Sequence, residues 1–146
     1  MIRKFKSADM ESVLNIWLAA SLKAHDFIAA EYWQSQVENM RTMYIPASEV
    51  YVYEHNDQVK GFYALYETML AAIFVAPDAQ GQGLGKALMA HAKVQRASLT
   101  LNVYQRNENS YRFYLSQGFQ ITSESTDEHI GEAEWVMGYS SSPACG

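Results

Sequence analysis

The chain is short of cysteine, proline and basic residues, and no apolar run reaches the length that spans a bilayer. One cysteine, Cys145, and three prolines occur in 146 residues. A lone thiol excludes an internal disulfide, and a reducing compartment is the expected home. Eleven Lys and Arg stand against sixteen Asp and Glu, a formal net charge of -5. A nucleic-acid binder would present a basic face, so no nucleic-acid partner is expected, and the acidic balance suits a cationic one. No His, Cys and Asp residues cluster at metal-ligand spacing, so no metal is expected. The first residues, Met-Ile-Arg-Lys-Phe-Lys-Ser-Ala-Asp, are charged where a secretory leader would be apolar. These absences lead us to expect a cytoplasmic protein with no membrane association, a monomer or weak homodimer.

What is present reads as one packed domain. Hydrophobic residues make up 49% and aromatic residues 13%, enough for a real core at this length. The domain is expected over residues 1–139, with Ser-Ser-Ser-Pro-Ala-Cys-Gly at 140–146 a flexible tail. Ile2 to Phe5 reads as a strand, and Ser7 as the N-cap of a helix with Asp9 in its first turn. Met10, Val13, Trp17 and Ala20 recur at helical spacing and predict a buried stripe. The segment from Lys23 to Trp33 predicts a helix break, followed by a second stripe, Trp33, Val37, Met40 and Tyr44, that Pro46 ends. Glu49 to Glu54 and Val59 to Glu67 are β-rich runs around His55-Asn56-Asp57-Gln58, a hairpin signal. Both faces of these runs are apolar or aromatic, so both sheet faces should be covered.

Leu70 to Ala76 is a short apolar strand stopped by Pro77. Gly81, Gly83 and Gly85 follow at alternate positions and lead into a helix from about Leu84 to Gln95. Glycines in such a loop let the backbone approach a ligand, and the free N–H groups of a helix start favour an anion such as a phosphate. The spacing is not that of a P-loop, because Ala87 follows Lys86 where Ser or Thr would be needed. It is not the Rossmann fingerprint either, since no glycine stands three residues after Gly83 or Gly85. On this helix Leu84, Leu88, His91 and Gln95 share a face, which makes His91 a packed or rim residue. Leu99 to Tyr104 reads as a strand parallel to Leu70–Ala76 across a right-handed crossover. A helix from about Asn109 to Gln117 ends at Gly118. Phe119 to Ser125 and Glu132 to Tyr139 close the chain as an antiparallel pair around Thr126–Gly131.

The run Gln80-Gly81-Gln82-Gly83-Leu84-Gly85 resembles the acyl-CoA signature of the GNAT superfamily of N-acetyltransferases, Gln/Arg-x-x-Gly-x-Gly/Ala. A second motif matches downstream, where Asn107, Ser110, Tyr114 and Gly118-Phe119 stand in the family's order and spacing. The resemblance covers nearly the whole chain. It implies an α/β (α+β) fold with a mixed, mostly antiparallel central sheet, a splayed parallel pair and helices on both faces. It implies acetyl-CoA as cosubstrate, with the pantetheine arm against Ile73, Phe74 and Val75 and the pyrophosphate held by Gln80, Gly81, Gln82, Gly83, Leu84, Gly85 and Lys86. Asn107 and Tyr114 are also assigned to the cosubstrate side by resemblance.

The implied reaction is transfer of an acetyl group to a primary amine of a protein lysine, a protein N-terminus or a small molecule. A backbone N–H near Val75 is the expected oxyanion donor. Tyr114 is the expected proton donor to the leaving thiolate, since a phenol of ordinary pKa ~10 stays protonated at neutral pH. Asn107 serves equally as an N-cap. The ribosomal-protein N-terminal acetyltransferases carry a Glu where this chain has Asn102, so the general base is open among Glu67, His25, Glu31 and water. The segment His25 to Tyr32 and the loop Thr126–Gly131 are expected to select the acceptor; an ordinary helix connection, with Asp26 capping the next helix, is the competing account for the first. A catalytically silent acyl-CoA-binding or sensory module is the alternative function, and the retained Tyr114 counts against it.

Overall fold

The computed structural model describes residues 1–141. One seven-stranded sheet runs through it in the order β1-β2-β3-β4-β5-β7-β6. Its strands are β1 (Ile2–Lys4), β2 (Glu49–His55), β3 (Gln58–Tyr66), β4 (Met69–Val75), β5 (Ser98–Tyr104), β6 (Gln120–Thr126) and β7 (Ala133–Ser140). All neighbours are antiparallel except β4 and β5. The mixed sheet is therefore the one the resemblance implies. The β2–β3 hairpin turns on Asn56 and Asp57, both at positive φ (52° and 62°), the backbone of a type I′ turn that Asn and Asp tolerate.

Helices cover both faces, as the two-sided apolar strands require. On one face lie α1 (Met10–Ala24), α2 (Ala30–Ser35), α3 (Val37–Asn39), a π-helical turn at Met40–Tyr44 and α4 (Ile45–Ala47). Val13, Trp17, Trp33 and Met40 pack there against Val50, Val52, Phe62 and Ala64. On the other face α5 (Leu84–Gln95) and α6 (Glu108–Ser116) cover Tyr63, Leu65, Leu70, Leu99, Leu101 and Val103. Gly61 lets α5 come this close, because a Cβ there would meet Leu88 Cδ1 and the Phe74 carbonyl at 3.0 Å.

Several local expectations change. Lys6, not Ser7, precedes the first turn, and the Asp9 carboxylate reaches back to accept the Lys6 N–H at 2.8 Å while pairing with Arg3. A carboxylate two residues inside the turn thus does the work expected of the Ser7 hydroxyl. Pro46 does not end its helix. The preceding turn widens to a π turn, with the Ile45 N–H bonded to the Met40 carbonyl, and the chain stays helical to Ala47. That widening rotates Tyr44 out of the buried stripe, leaving it 51% exposed. Ala29, without a side-chain cap, opens α2, so Asp26 caps nothing there. β7 runs on to Ser140, and the Ser141 N–H bonds the Ala97 carbonyl. The remainder of the expected tail, 142–146, lies outside the described residues. No described helix is long and apolar enough to cross a membrane.

Candidate active site

β4 sits mid-sheet yet is paired along its length on one side only. Toward β3 it makes a continuous antiparallel ladder, whereas toward β5 a single register pair, Met69 with Thr100, is formed. The Thr100 N–H bonds the Thr68 carbonyl at 3.0 Å, and beyond this the strands part. A bulge explains the parting. The register with β3 steps from Leu65↔Leu70 to Ala64↔Ala72, so Ala71 is an extra residue. A bulge bends its strand and sharpens its twist, and this one lies just where β4 leaves β5. β4 consequently stays partly exposed from Ala71 to Val75, while five residues of its neighbour β3, Gly61–Leu65, are buried.

The polar groups of that free edge follow from alternation. The Ala76 N–H bonds the Lys60 carbonyl, so Ala76 and Phe74 turn their backbone groups to β3. Ile73 and Val75 then turn theirs to the gap. Gln80 Nε2 already donates to the Val75 carbonyl at 3.2 Å, and Lys23 Nζ donates to Gln80 Oε1 at 3.0 Å. The N–H groups of Ile73 and Val75 are left facing the gap.

Past Val75 a 3₁₀ turn at Pro77–Ala79 leads into the glycine loop. Gly81 and Gly83 have φ of 80° and 86°, a backbone that side chains with a Cβ adopt only under strain. Gly83 is the N-cap of α5, so the N–H groups of Leu84, Gly85 and Lys86 open outward at the helix start. Gly85 lies under the Phe113 ring of α6. Lys86 is exposed. The N–H groups of this helix start lie at the open end of the gap and form a concavity of the kind that can hold an anion.

α6 begins at Asn107, whose Oδ1 accepts the Ser110 N–H at 3.2 Å as an N-cap. Its Nδ2 meets His25 Nε2 at 2.9 Å, and both side chains are buried. The helix ends in a Schellman motif on Gly118 (φ 91°), with Phe119 N–H bonded to the Tyr114 carbonyl and Gly118 N–H to that of Leu115. Tyr114 packs on Phe113 and Phe119, with ring centroids 5.6 and 5.9 Å away, in the cluster that also holds the Ile73 and Val75 side chains. Burial pushes its phenol up to about 12, so it enters any reaction protonated.

The opposite face of the gap is walled by aromatic side chains. His25 stacks on Trp33 (5.1 Å) and meets Tyr104 and Phe27 edge-on at 5.1 and 5.9 Å. Burial lowers the His25 pKa to about 4. With Nε2 accepting from Asn107, its proton sits on Nδ1, which is buried with no hydrogen-bond partner among the described residues, as is Trp33 Nε1. The Tyr104 hydroxyl donates to Asp127 Oδ2 at 2.8 Å, and the Arg106 guanidinium lies over Phe27 at 5.5 Å. The segment after α1 and the β6–β7 loop thus meet on this face.

The sequence candidates divide between these places. Ile73, Val75, the glycine loop, Asn107 and Tyr114 gather around the gap, whereas Phe74, expected to line the arm with them, turns its backbone groups to β3 and packs its ring on Phe62 on the α1 face. His25 lies behind Tyr104, buried and neutral. Glu31 is exposed at the start of α2. Glu67 is in the β3–β4 turn at φ 55°, where its carbonyl accepts from Arg96. That turn adjoins the paired end of β4 and β5, at the far end of β4 from Val75. Tyr104, Asp127 and Glu134 were not singled out from the sequence. Tyr104 shares a period-2 face with Thr100 and Asn102, but the strand register that brings Glu134 beside it has no sequence code.

The family described as acetyltransferase (GNAT) domain matches residues 46–121, more than half of the chain. The peptidyl-lysine N-acetyltransferase YiaC of Escherichia coli K12 is 34% identical over 140 residues, covering 95% of this chain and 96% of the relative. The solution structure of apo YjaB from Escherichia coli superposes with a TM-score of 0.84 at 30% identity, covering 95% of this chain and 96% of that one. The PaiA N-acetyltransferase of Thermoplasma acidophilum, solved in complex with coenzyme A, shares the fold at a TM-score of 0.80 and 17% identity, over 96% and 98% of the two chains. With a bulged, one-sided β4, a glycine loop capping α5 and these relatives over nearly its full length, the chain belongs to the GNAT family of acetyltransferases and is an N-acetyltransferase.

Proposed function

We propose that the chain transfers the acetyl group of acetyl-CoA to the side-chain amine of a lysine in a peptide or protein. The observation that carries this reading is the two-sided gap, with a backbone cradle and Tyr114 on the α5–α6 face and an aromatic, acidic wall on the other. Relatives named peptidyl-lysine N-acetyltransferases, at 34% and 32% identity, support the acceptor class.

The residues present fit acetyl-CoA. The free edge of β4 offers amide partners to an amide-rich arm, as an added strand would. The α5 start, with Gly81 and Gly83 in left-handed conformation, offers N–H groups and a helix dipole to a pyrophosphate. Acetyl-CoA supplies an activated carbonyl and a thiolate leaving group. One of the two N–H groups of Ile73 and Val75 donates to the carbonyl oxygen as it gains charge, a type of contact worth about 10²–10³ in rate, and the other, about 6.6 Å along the strand, is left to the arm. Tyr114, held protonated by burial, gives its proton to the departing sulfur. Asn107 fixes the start of α6 and, through His25, ties it to the acceptor wall.

Incubation with acetyl-CoA and three acceptor sets, read by mass spectrometry, tests the reading. The sets are N-terminally blocked lysine peptides, lysine-free peptides with free N-termini, and small polyamines. Acetylation is expected on the lysine peptides. Acetylation confined to either of the other sets overturns the lysine assignment.

A further inference from the structure

None of the carboxylates considered for the base has a suitable position: Glu67 lies at the closed end of the gap, and Glu31 is on the surface of α2. One carboxylate on the acceptor wall does. In the β5–β7 ladder Tyr104 is directly opposite Glu134, and Asn102 opposite Val136. Cross-strand partners share a face, so Glu134 points to the side of Tyr104 and Asn102, the face opposite α5, α6 and Tyr114. Counted from Met69↔Thr100, Tyr104 is level with Ile73 and Phe74. Glu134 is thus one strand spacing, roughly 4.8 Å, beyond the edge of the gap at the height of the Ile73 and Val75 N–H groups.

The other carboxylates of this wall are engaged. Asp127 accepts the Tyr104 hydroxyl on Oδ2 and the His129 N–H on Oδ1. Glu132 pairs with Arg106 at 3.5 Å. Glu134 has one neutral donor, the Ser125 hydroxyl, on Oε1 at 3.2 Å. Its Oε2 makes no hydrogen bond among the described residues, and no cation pairs with it. Burial and the charge of Asp127 push its pKa above the usual carboxylate range, against the lowering effect of Ser125. An incoming ammonium would relieve both the burial and the repulsion.

Resting on the lysine-acetyltransferase reading, we infer that Glu134 is the proton acceptor for the substrate amine, receiving it on the face of the sheet opposite Tyr114. The lysine ammonium gives one proton to the Glu134 carboxylate, directly or through a single water, and so frees its lone pair. The nitrogen then forms the N–C bond, the C–S bond breaks, and the electron pair leaves on sulfur. The second proton lost by nitrogen passes to solvent, and Tyr114, having given its proton to sulfur, regains one from solvent, so that one proton is released per turnover. Glu134 returns its proton to solvent. The carboxylate that some family members carry at the position of Asn102 is replaced, on this reading, by one from the adjacent strand on the same face.

Glu134→Gln keeps size and the Ser125 hydrogen bond while removing the acceptor of the proton. We expect kcat at pH 7 to fall about 10²–10⁴-fold, with the acetyl-CoA Kd unchanged and the melting temperature not lowered, because a neutral side chain there is spared the burial and repulsion of the charge. The loss should shrink as pH rises toward the lysine pKa of ~10.4, because a free amine needs no base. Ser125→Ala removes the bond that favours the carboxylate, so the acidic limb of kcat/KM should move to higher pH. Tyr104 and Asp127 face Glu134, and the other titratable and charged groups of this wall are Tyr32, raised like Tyr104 further from neutrality, the Arg106–Glu132 pair, and His25 behind Tyr104, near 4. The exposed His129 of the same loop is removed by a His129→Asn control, which should leave the limb in place. Wild-type kcat in Glu134→Gln, or a loss that high pH does not restore, overturns the assignment. Failure of the wild-type protein to acetylate any lysine peptide instead removes the reading beneath it.

Discussion

The two faces of the β4–β5 gap are built from different material. On the α5–α6 face the groups we assign to acetyl-CoA are backbone: the free edge of β4, the loop at Gly81 and Gly83, and the start of α5. On the α1–α2 face they are side chains: His25, Phe27, Trp33, Tyr104, Asp127 and Glu134, contributed by four separate parts of the chain. Backbone recognition constrains φ and close approach, which only a few residues allow, so it leaves a spaced signature. Side-chain recognition constrains only what meets in space. A face made the first way serves one invariant ligand, and a face made the second way can be altered residue by residue to take a different acceptor.

The sharpest way to separate the faces is to remove the Tyr114 hydroxyl. Tyr114→Phe keeps the packing on Phe113 and Phe119 but deletes the proton donor. Turnover is expected to fall about 10²–10⁴-fold, with acetyl-CoA affinity and acceptor KM nearly unchanged. Steady-state kinetics beside calorimetric titration of acetyl-CoA measures both. Full turnover in the Phe variant would reduce Tyr114 to a packing residue and leave its face a binding surface only.

The acceptor face carries the larger stability cost of pH. His25 is 7% exposed, and its folded pKa, about 4, lies below the ordinary 6.5. The unfolded chain therefore binds the proton first as pH falls. The stability tied to neutral His25 is fully present above pH 6.5 and is lost between about 6.5 and 4, on the order of 3 kcal/mol in all. Urea denaturation at pH 7 and pH 4.5 should show this loss in the wild type and much less of it in His25→Gln. Equal pH sensitivity in the two proteins would place the titrating group elsewhere.

The cosubstrate face has a comparable test in its backbone. Gly83→Val forces a β-branched residue to φ 86°, a conformation that costs of order 1–3 kcal/mol. No side chain is displaced, since nothing lies within 4 Å of a Cβ there, so the effect is on the cradle itself. Acetyl-CoA at a hundredfold excess over its Kd stabilises the wild type by about 2.7 kcal/mol, read as a rise in melting temperature. That rise should be largely absent in Gly83→Val. A folded variant with an undiminished rise would remove the pyrophosphate from this loop.

What was legible in the sequence follows the same division. The glycine loop, the Asn107–Tyr114 spacing and the Asn56-Asp57 turn each depend on a local backbone geometry that particular residues favour, and each stands where its residues predicted. The bulge at Ala71 left no mark, because Ala-Ala accommodates a bulge or a regular strand equally well. The π turn before Pro46 was hidden for the same kind of reason: a missing N–H predicts a stop, but one widened turn absorbs it. Glu134 looked like any polar residue near the start of a strand until the register set it beside Tyr104. The buried His25–Asn107 bond joins residues 82 apart, and no local pattern encodes such a pairing.

The smallest expected effect concerns how the acceptor face is closed. Arg106 spans its two loops, with its guanidinium 5.5 Å over Phe27 and 3.5 Å from Glu132. Its side chain is 63% exposed, so solvent screens the ion pair and the cation–π contact is worth only ~0.5–1 kcal/mol. Arg106→Gln should therefore change global stability by less than about 1 kcal/mol. The contact nonetheless joins the segment after α1 to the β6–β7 loop beside Tyr104, and loosening it lets the wall open where an acceptor peptide would lie. We expect the KM for a lysine peptide to rise a few-fold, with kcat and the acetyl-CoA Kd unchanged, because neither Tyr114 nor the glycine loop touches Arg106. Phe27→Leu, which removes the ring but keeps an apolar side chain, should give a similar rise, and combining the two should add little, as a shared contact requires. Fully additive effects would mean that Arg106 and Phe27 act on the acceptor independently and that the contact between them does not close the face.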